Sequence, residues 1–359
     1  MIHNDSHALF TFANLETIGG SRIRKLLSLF SSPDDLFRAT AADLMDRGVS
    51  DQWARAFTNE RDRVDVSRLR DRCETLGIRF LVASDQAFPL LLKEIPDPPI
   101  GLFVRGDLGK EALTIAVVGT RAATGYGRQV TRELVGALAR AGVVVVSGLA
   151  LGIDGVAHEA AIAAGGKTIA VLPCGLDRVY PASHDGLAQR IVENGGALVS
   201  EFGLGTLPLK YHFPIRNRII AGMASGTLVT EAPERSGALL TAFLALEYNR
   251  DVFAVPGPIT APSSCGTHRL LRSGAQLVEC AEDILSAYHM ASETQAKSEE
   301  SLSDRERLVL SYCTREPRTV DQIQNLSRLN TSVINATLVC LQMKGWIVQH
   351  DPMHVVRNR

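Results

Sequence analysis

The chain has 359 residues, with 38 Lys and Arg against 39 Asp and Glu, and 45% of its residues are hydrophobic. This composition is typical of a folded protein and excludes a disordered chain, a collagen-like chain and a histone-like polycation. The length predicts two or three domains, and a net charge of -1 still leaves room for one concentrated basic patch.

The N-terminal region carries apolar residues at helical spacing between Leu15 and Phe57. This spacing predicts a bundle of short helices, which we assign to a domain of residues 1–75. A β-prone run at 78–83 then predicts a strand, and the proline-rich residues 95–101 predict a connector.

Short Val/Ile/Ala runs alternate with helical stretches through residues 76–290, the second predicted domain. Strands that are apolar on both faces and alternate with helices predict an α/β fold with a doubly wound, mainly parallel sheet. Ligands bind such sheets beyond the carboxyl ends of the strands. The predicted strands are residues 114–118, 143–147, 168–172, 197–200, 227–230, 251–255 and 276–278. The predicted helices are residues 128–141, 155–164, 185–193, 239–249 and 268–272.

The C-terminal part of the chain begins with the polar, acidic residues 291–303, which predict a linker. Residues 304–359 then show three short helical patterns and a closing β segment, which predict a winged-helix domain. Its candidate recognition helix, around residues 331–343, is nearly uncharged. We therefore expect this domain to mediate protein contacts or autoregulation rather than to read a DNA groove.

The six cysteines are scattered and form no Cys-x-x-Cys pair, so we predict neither a metal site nor a redox site, and no cofactor. The first residues show no signal-peptide pattern, and the longest apolar runs are too short to span a bilayer. We therefore expect a reduced, cytoplasmic protein with no membrane insertion.

The loop after the first parallel strand contains Gly119, Thr120 and Arg121 and enters a helix near Arg128. Glycine admits close backbone approach, helix N-terminal amides attract anions, and a guanidinium matches a phosphate, so this loop is a candidate phosphate site. The alternative is a simple strand-to-helix turn. A dinucleotide motif would need glycine where Val130 stands, so dinucleotide binding loses its main support.

Two further strand ends carry polar residues. Ser147 and Gly148 follow the second strand, and Asp154 is predicted to cap the next helix. A catalytic pair of Asp154 with His158 is conceivable, but capping and a packing hydrogen bond are favoured. Cys174 follows the third strand without a histidine base in sequence reach, so a packing role is favoured.

The densest polar segment is Lys210-Tyr211-His212-Phe213-Pro214-Ile215-Arg216-Asn217-Arg218. It has three cations and two aromatic residues, and residues 206–223 contain no acid. Cations neutralise phosphates and aromatic faces stack on unpaired bases, so the segment favours single-stranded nucleic acid over a small metabolite. The alternative is a solvated loop with its aromatic residues buried.

Two later strands are each followed by the start of a helix, which also offers amides to an anion. These helix starts are at Ser236-Gly237 and at Gly266-Thr267-His268. Glycine with hydroxyl or cationic groups thus recurs at five strand ends. This recurrence predicts an extended polyanion-binding surface, with its cations on loops of one sheet and the acids elsewhere.

Together these segments resemble the bacterial DNA-processing protein A (DprA, or Smf) family. The resemblance lies in AVVGTRAATGYG (116–127), VVSGLALGIDGVAH (145–158), KTIAVLPCGLDRVYP (167–181), FPIRNRIIAG (213–222), LVTEAPERSGALLTAFLALE (228–247) and VFAVPGPI (252–259). It implies an extended Rossmann-like core with an N-terminal SAM-like or helix-hairpin-helix domain and a C-terminal winged helix. It further implies binding of single-stranded DNA, a homodimer, and loading of the RecA recombinase in natural transformation.

The resemblance also implies roles for individual residues. The residues that would contact DNA are Arg121 of the GTR loop (residues 119–121), Lys167, and Arg216 and Arg218 of FPIRNR. Leu151 stands where the family usually has arginine, so one cation is missing, and Lys210 is a candidate to compensate. The predicted interface comprises Gly119, Thr120, Arg121, Ser147, Gly148, Lys167, Lys210, Phe213, Arg216, Asn217, Arg218, Ser236, Gly237 and His268, the last replacing the usual asparagine.

No catalytic residue is predicted, and the leading hypothesis is a non-enzymatic recombination mediator. The alternative is a nucleotide-processing enzyme of the LOG-like phosphoribohydrolase type, which has a similar core. Its PGGxGTxxE motif has only a partial counterpart here, between Glu231 and Glu247, without the PGG run. A regulator that reads duplex DNA through the winged helix is disfavoured by the uncharged recognition helix.

Overall fold

The computed structural model describes residues 4–15, 17–109, 113–290, 302–314, 317–351 and 354–357. It divides into two compact units, Met1–Ser292 and Glu293–Arg359. None of the helices in the described part of the chain combines the length and the apolar character needed to cross a bilayer.

The first unit begins with the helical bundle that the apolar spacing predicts. Ser32 and Thr40 cap two of its helices by accepting hydrogen bonds from the Asp35 and Asp43 amides. Its core is built on fully buried side chains such as Phe57. The helices are α1 Asn4–Ala13, α2 Gly20–Leu27, α3 Pro33–Arg38, α4 Ala41–Asp46, α5 Asp51–Arg61 and α6 Val66–Thr75.

A nine-stranded sheet forms the centre of the first unit. Its strands are β1 Ile78–Leu81, β2 Leu102–Gly106, β3 Thr114–Val118, β4 Val144–Ser147, β5 Thr168–Val171, β6 Ala197–Ser200, β7 Gly226–Val229, β8 Asp251–Ala254 and β9 Gln276–Leu277. The strand order is β1-β2-β6-β5-β4-β3-β7-β8-β9. All neighbours from β6 to β9 pair in parallel, whereas β1, β2 and β6 pair antiparallel. The predicted parallel sheet is confirmed, and β2 is an additional strand that the sequence analysis missed.

Helices cover both faces of this sheet. They are α7 Leu90–Lys93, α8 Gly125–Arg140, α9 Ile153–Ala163, α10 Asp185–Glu193, α11 His212–Gly222, α12 Gly237–Glu247, α13 Cys265–Arg272 and α14 Ala281–Ala287. Apolar residues of α11 and α12 pack into one core, and those of α8, α9 and α14 pack into another. The arrangement is doubly wound, so the loops after β3, β4, β5, β7 and β8 share one edge of the sheet, which we call the carboxyl edge.

Helix α11 differs from the sequence-based expectation, which placed a loop over residues 210–218. Pro214 lies in the first turn of the helix, where its missing amide costs no hydrogen bond. Ile219 and Ile220 are buried as a helical face requires, but Arg216 and Arg218 are buried too. Because two inward positions carry cations, the segment shows no apolar periodicity in the sequence.

The second unit has winged-helix architecture, as predicted. It contains α15 Asp304–Tyr312, β10 Arg318–Thr319, α16 Val320–Ser327, α17 Thr331–Met343, β11 Ile347–Asp351 and β12 His354–Arg357, with strand order β10-β12-β11. Leu302 belongs to its core and Ser303 caps α15. The predicted linker of residues 291–303 is therefore wrong for these two residues, and residues 291–301 lie outside the described part of the chain.

Acid is expected to weaken the winged-helix unit through Glu306. Hydrogen bonds from the Lys344 ammonium and the Ser303 amide hold the pKa of Glu306 at about 2, below its ordinary value of 4.5. A depressed pKa gives stability that is present above the unfolded value and is lost as the pH falls from about 4.5 to about 2. Thermal unfolding across this range should show that Glu306→Gln removes that part of the acid sensitivity. Equal sensitivity in both proteins would contradict the prediction.

Candidate nucleic-acid interface

Backbone hydrogen bonds join three loops at the carboxyl edge. The Thr120 amide donates to the Glu231 carbonyl at 2.8 Å, and the Ile153 amide donates to the Thr120 carbonyl at 3.1 Å. A Cβ at Gly119 would lie 2.5 Å from the Ile153 side chain, so the loops after β3 and β4 are in direct contact. The GTR loop is thereby held in one conformation by its neighbours.

Arg121 projects from this fixed loop toward an aromatic pair. Its guanidinium carbon lies 5.0 Å from the centroid of the Phe213 ring. Tyr180 packs edge-on against Phe213 at 5.5 Å and keeps 39% of its surface exposed. Arg121 is exposed and forms no ion pair with any acid in the described ranges. A free cation over an aromatic face can bind a phosphate and a base together.

Arg216 lies beneath the same loops and is only 4% exposed. Its Nη1 donates to the carbonyls of Gly148 and Val171, and its Nε donates to Asn217 Oδ1. Burial lowers the pKa of Arg216 to about 10, with Asp154 acting in the opposite direction, so the side chain stays charged at neutral pH. Arg216 therefore supports the loops after β4 and β5 instead of reaching a phosphate.

Asp154 satisfies the amides of the loop after β4. Its carboxylate accepts from the amides of Gly148 at 3.1 Å and Ala150 at 3.4 Å. The N-cap of α9 is Gly152, whose φ is +81°, so the prediction that Asp154 is the cap is wrong. The Gly148 amide already has an acceptor and offers nothing to an external anion.

His158 is not paired with Asp154. Its Nδ1 lies 2.7 Å from Thr168 Oγ1, and the side chain is fully buried. Burial lowers the pKa of His158 to about 3, so the imidazole is neutral at physiological pH. The conceivable Asp-His catalytic pair is not formed, and His158 has a packing role.

Glu231 occupies the N-terminus of α8. Its buried carboxylate accepts from the Thr124 amide at 2.9 Å and from Thr124 Oγ1 at 2.8 Å. A Cβ at Gly127 would collide with Glu231 Oε2, so this glycine is required for the close approach. The place where a helix N-terminus would bind a phosphate is thus filled by a carboxylate of the protein itself.

Arg218 and Lys167 are paired with acids, contrary to the expectation that the acids lie elsewhere. Arg218 is 6% exposed, and its guanidinium pairs with Glu201 and, at 3.4 Å, with Asp97. Lys167 lies 3.2 Å from Asp107 and precedes β5. Roughly 13 Å of strand therefore separates Lys167 from the carboxyl edge. The prediction that the cations lie together on strand-end loops is therefore wrong for Lys167.

Other predicted residues split between structural and exposed positions. Ser147 is buried and donates to the Val117 carbonyl, and Ser236 Oγ caps α12 by accepting from the Ala238 amide. His268 Nε2 lies 3.0 Å from the Gly257 carbonyl, and Asn217 Nδ2 donates to the Gly237 carbonyl at 3.4 Å. Lys210 and Gly237 are exposed.

Comparison with known proteins agrees with this architecture. The family model described as DNA recombination-mediator protein A matches residues 79–289, which is more than half of the chain. The chain belongs to the DNA recombination-mediator protein A family. The model of the DprA winged-helix domain matches residues 293–351. The resemblance drawn from the sequence motifs is confirmed.

Relatives in this family cover different shares of the chain. Protein Smf of Escherichia coli is 50% identical over 207 residues, which are 57% of this chain and 55% of that protein. The DNA processing protein DprA of Bacillus subtilis is 44% identical over 58% of this chain and 70% of its own length. The chain thus matches only about half the length of the E. coli protein.

Two solved structures of the family resemble the chain. DprA of Streptococcus pneumoniae is 36% identical, with a TM-score of 0.69 over 78% of this chain and 97% of that chain. DNA processing protein A of Helicobacter pylori is 31% identical, with a TM-score of 0.53 over 59% of this chain and 96% of that chain. The latter structure concerns the single-stranded DNA binding mode of the H. pylori protein.

Tyr180 is the functional candidate that the sequence analysis missed. It lies 33 residues before Phe213, and nothing in its own segment VYPA indicates an exposed aromatic pair. The contact arises because the loop after β5 and the start of α11 meet at the carboxyl edge. A pattern of half-exposed aromatic residues can be recognised only once the fold is known.

Cys174 is expected to be unreactive in the folded protein. It is fully buried, and burial raises the pKa of its thiol to about 12. Cys265 and Cys340 are exposed, so they should supply the fast phase of a disulfide-exchange titration at neutral pH. The Cys265→Ser/Cys340→Ser variant should lose that phase. Native-state alkylation of Cys174, detected by mass spectrometry, would contradict its packing role.

Proposed function

We propose that this protein binds single-stranded DNA at the carboxyl edge and acts without catalysis as a recombination mediator. The observation that carries the proposal is the exposed Arg121 guanidinium, which has no acidic partner among the described residues and lies 5.0 Å from the Phe213 ring. The single-stranded DNA binding mode described for the H. pylori relative supports the same ligand. Membership in the recombination-mediator family supports the same role.

The chemistry of the site suits an unpaired strand. Arg121 and Lys210 supply positive charge for phosphates, and both are exposed. Phe213 and Tyr180 supply ring faces and edges, and Tyr211 adds a ring that is 61% exposed. Aromatic rings stack on bases of any sequence, so we expect affinity for a single strand with little sequence preference.

The position of the Glu231 carboxylate argues against the nucleotide-processing alternative. A nucleotide phosphate at the start of α8 would have to displace the Glu231 carboxylate from its two hydrogen bonds with Thr124. His158 is buried and neutral, and Cys174 is a buried thiol, so neither offers an activated base or nucleophile. We therefore propose that the protein does not hydrolyse nucleotides.

The partners in this proposal are the RecA recombinase and a second copy of the chain. The protein would act in the cytoplasm, protect DNA that enters during natural transformation, and help load RecA onto it. Exposed Leu240, Phe243 and Leu246 on α12 supply an apolar face that supports a homodimer. Light scattering of the purified protein tests the dimer, and single-strand pull-down of RecA tests the second partner.

Fluorescence anisotropy with labelled oligo-dT tests the DNA-binding proposal. If roughly three to five phosphates are neutralised, the plot of log affinity against log salt should have a slope of about -2 to -3.5. Parallel incubation with nucleoside monophosphates should release no free base. A salt-independent affinity would argue against phosphate contacts, and steady release of base would favour the phosphoribohydrolase alternative.

A further inference from the structure

One row of arginines lies on the outer face of α8. Arg128, Arg132 and Arg140 are exposed and occupy a row at steps of four residues, with Gly136 in the third position. The Arg140 Nη1 atom lies 3.4 Å from the place where a Cβ of Gly136 would be, so its side chain lies over that gap. Because four residues exceed one turn by about 40°, the row turns by about 120° around the helix between Arg128 and Arg140.

None of the three arginines is neutralised by an acid within the residues that the structure describes. The ion pairs among those residues include none of them. Glu133 on the same helix accepts a hydrogen bond from Gln129, and Glu159 on the neighbouring α9 pairs with Arg190. Lys167 and Arg218, by contrast, are each held by an acid.

Like charges at this spacing repel each other and destabilise a helix. Arg128 and Arg132 form such a pair on a helix whose one acid, Glu133, accepts a hydrogen bond from Gln129. An anionic ligand that contacts the whole row would relieve the repulsion. The electrostatic energy of the row is therefore more favourable in contact with a polyanion than in solvent alone.

The row continues from the candidate interface. Helix α8 starts four residues after Arg121, at the carboxyl edge, and runs from there toward the opposite edge of the sheet. Arg128 and Arg140 are separated by about 18 Å along the helix, a distance that several nucleotides of an extended strand cover. Side chains on a helix lean toward its N-terminus, so these guanidiniums lean toward the Arg121 end.

We propose that the α8 arginine row, Arg128, Arg132 and Arg140, is a second track for the same DNA strand. A strand whose bases contact Phe213 and Tyr180 continues past Arg121, and its next phosphates lie along α8. The track rests on the proposed function, because it extends a strand that is bound at Arg121. It contributes charge and length to the site, without base contacts.

The test compares short and long oligo-dT on the full-length protein. A variant with Arg128→Gln, Arg132→Gln and Arg140→Gln should bind an oligonucleotide of about six residues like the wild type, because Arg121 is intact. Its affinity for an oligonucleotide of about 20 residues should fall at least about tenfold, and its salt slope should become shallower by about 2. Circular dichroism checks that the fold is retained.

A control variant makes the same change in net charge at exposed positions of the first unit outside α8, with Lys25→Gln, Arg63→Gln and Arg68→Gln. If both variants lose the same affinity for the long strand, general charge explains the loss and the track is wrong. If the α8 variant binds both strands like the wild type, the track is wrong and the Arg121 site stands. If the wild type binds neither strand, the proposed function fails, and the track fails with it.

Discussion

Arg121→Glu is expected to lower the affinity for oligo-dT about 100-fold, which corresponds to about 2.8 kcal/mol. The substitution replaces the exposed cation over Phe213 with an anion, so attraction of a phosphate becomes repulsion. The neighbouring loops remain tied by the Thr120 and Ile153 amides, which do not depend on this side chain. Anisotropy titrations at one fixed salt concentration measure the loss.

Two comparisons make this result specific. Arg63→Glu changes the charge equally at another exposed position of the same unit and should lower the affinity much less. Arg121→Lys keeps the charge but loses the planar guanidinium, so it should fall between the wild type and Arg121→Glu. Wild-type affinity in the Arg121→Glu protein would remove the basis of the proposed function.

Arg216→Met is expected to lower the free energy of unfolding by about 3–5 kcal/mol. The buried guanidinium binds the carbonyls of Gly148 and Val171 and lies near the buried carboxylate of Asp154. Methionine fills most of the volume but leaves the carbonyls unsatisfied and the carboxylate without its opposite charge. Urea unfolding measures the loss.

A second variant separates the charge effect from general damage to the core. Arg216→Met combined with Asp154→Asn removes both buried charges and should recover part of the lost stability, so the two effects are not additive. A stable Arg216→Met protein that loses only DNA affinity would instead make Arg216 a direct DNA ligand, as the FPIRNR resemblance implies.

The sequence predicts most of the core fold because its parallel strands are buried on both faces. The sequence predicts the strands from β3 to β9 to within two residues of their observed bounds. A short run of apolar residues such as TIAVV, followed by glycine, is typical of a strand that is buried on both faces. Helix α11 was missed for the opposite reason. Its inward face carries Arg216 and Arg218, and a charged inward face looks like a solvated loop.

The residue types of the candidate site could be predicted from the sequence, but the contacts and ion pairs between its side chains could not. Local composition points to Arg121, Phe213 and Lys210, and the structure places the first two in contact. The acids that form ion pairs with Arg218 and Lys167 are Glu201 and Asp107, which are distant in the sequence. These ion pairs can therefore be recognised only from the fold. Which edge of the sheet a residue occupies likewise depends on strand direction, and Lys167 precedes its strand.

The carboxylate of Glu231 at the start of α8 has a consequence for how such a protein works among the abundant free nucleotides of a cell. An open helix N-terminus beside Arg121 would attract ATP and inorganic phosphate, which would compete with DNA. Because Glu231 already fills that position, only the side-chain cations at the surface remain for phosphates. Single small phosphates gain little from scattered cations, whereas a strand contacts several of them at once, so we expect a polymer to be preferred over its monomers.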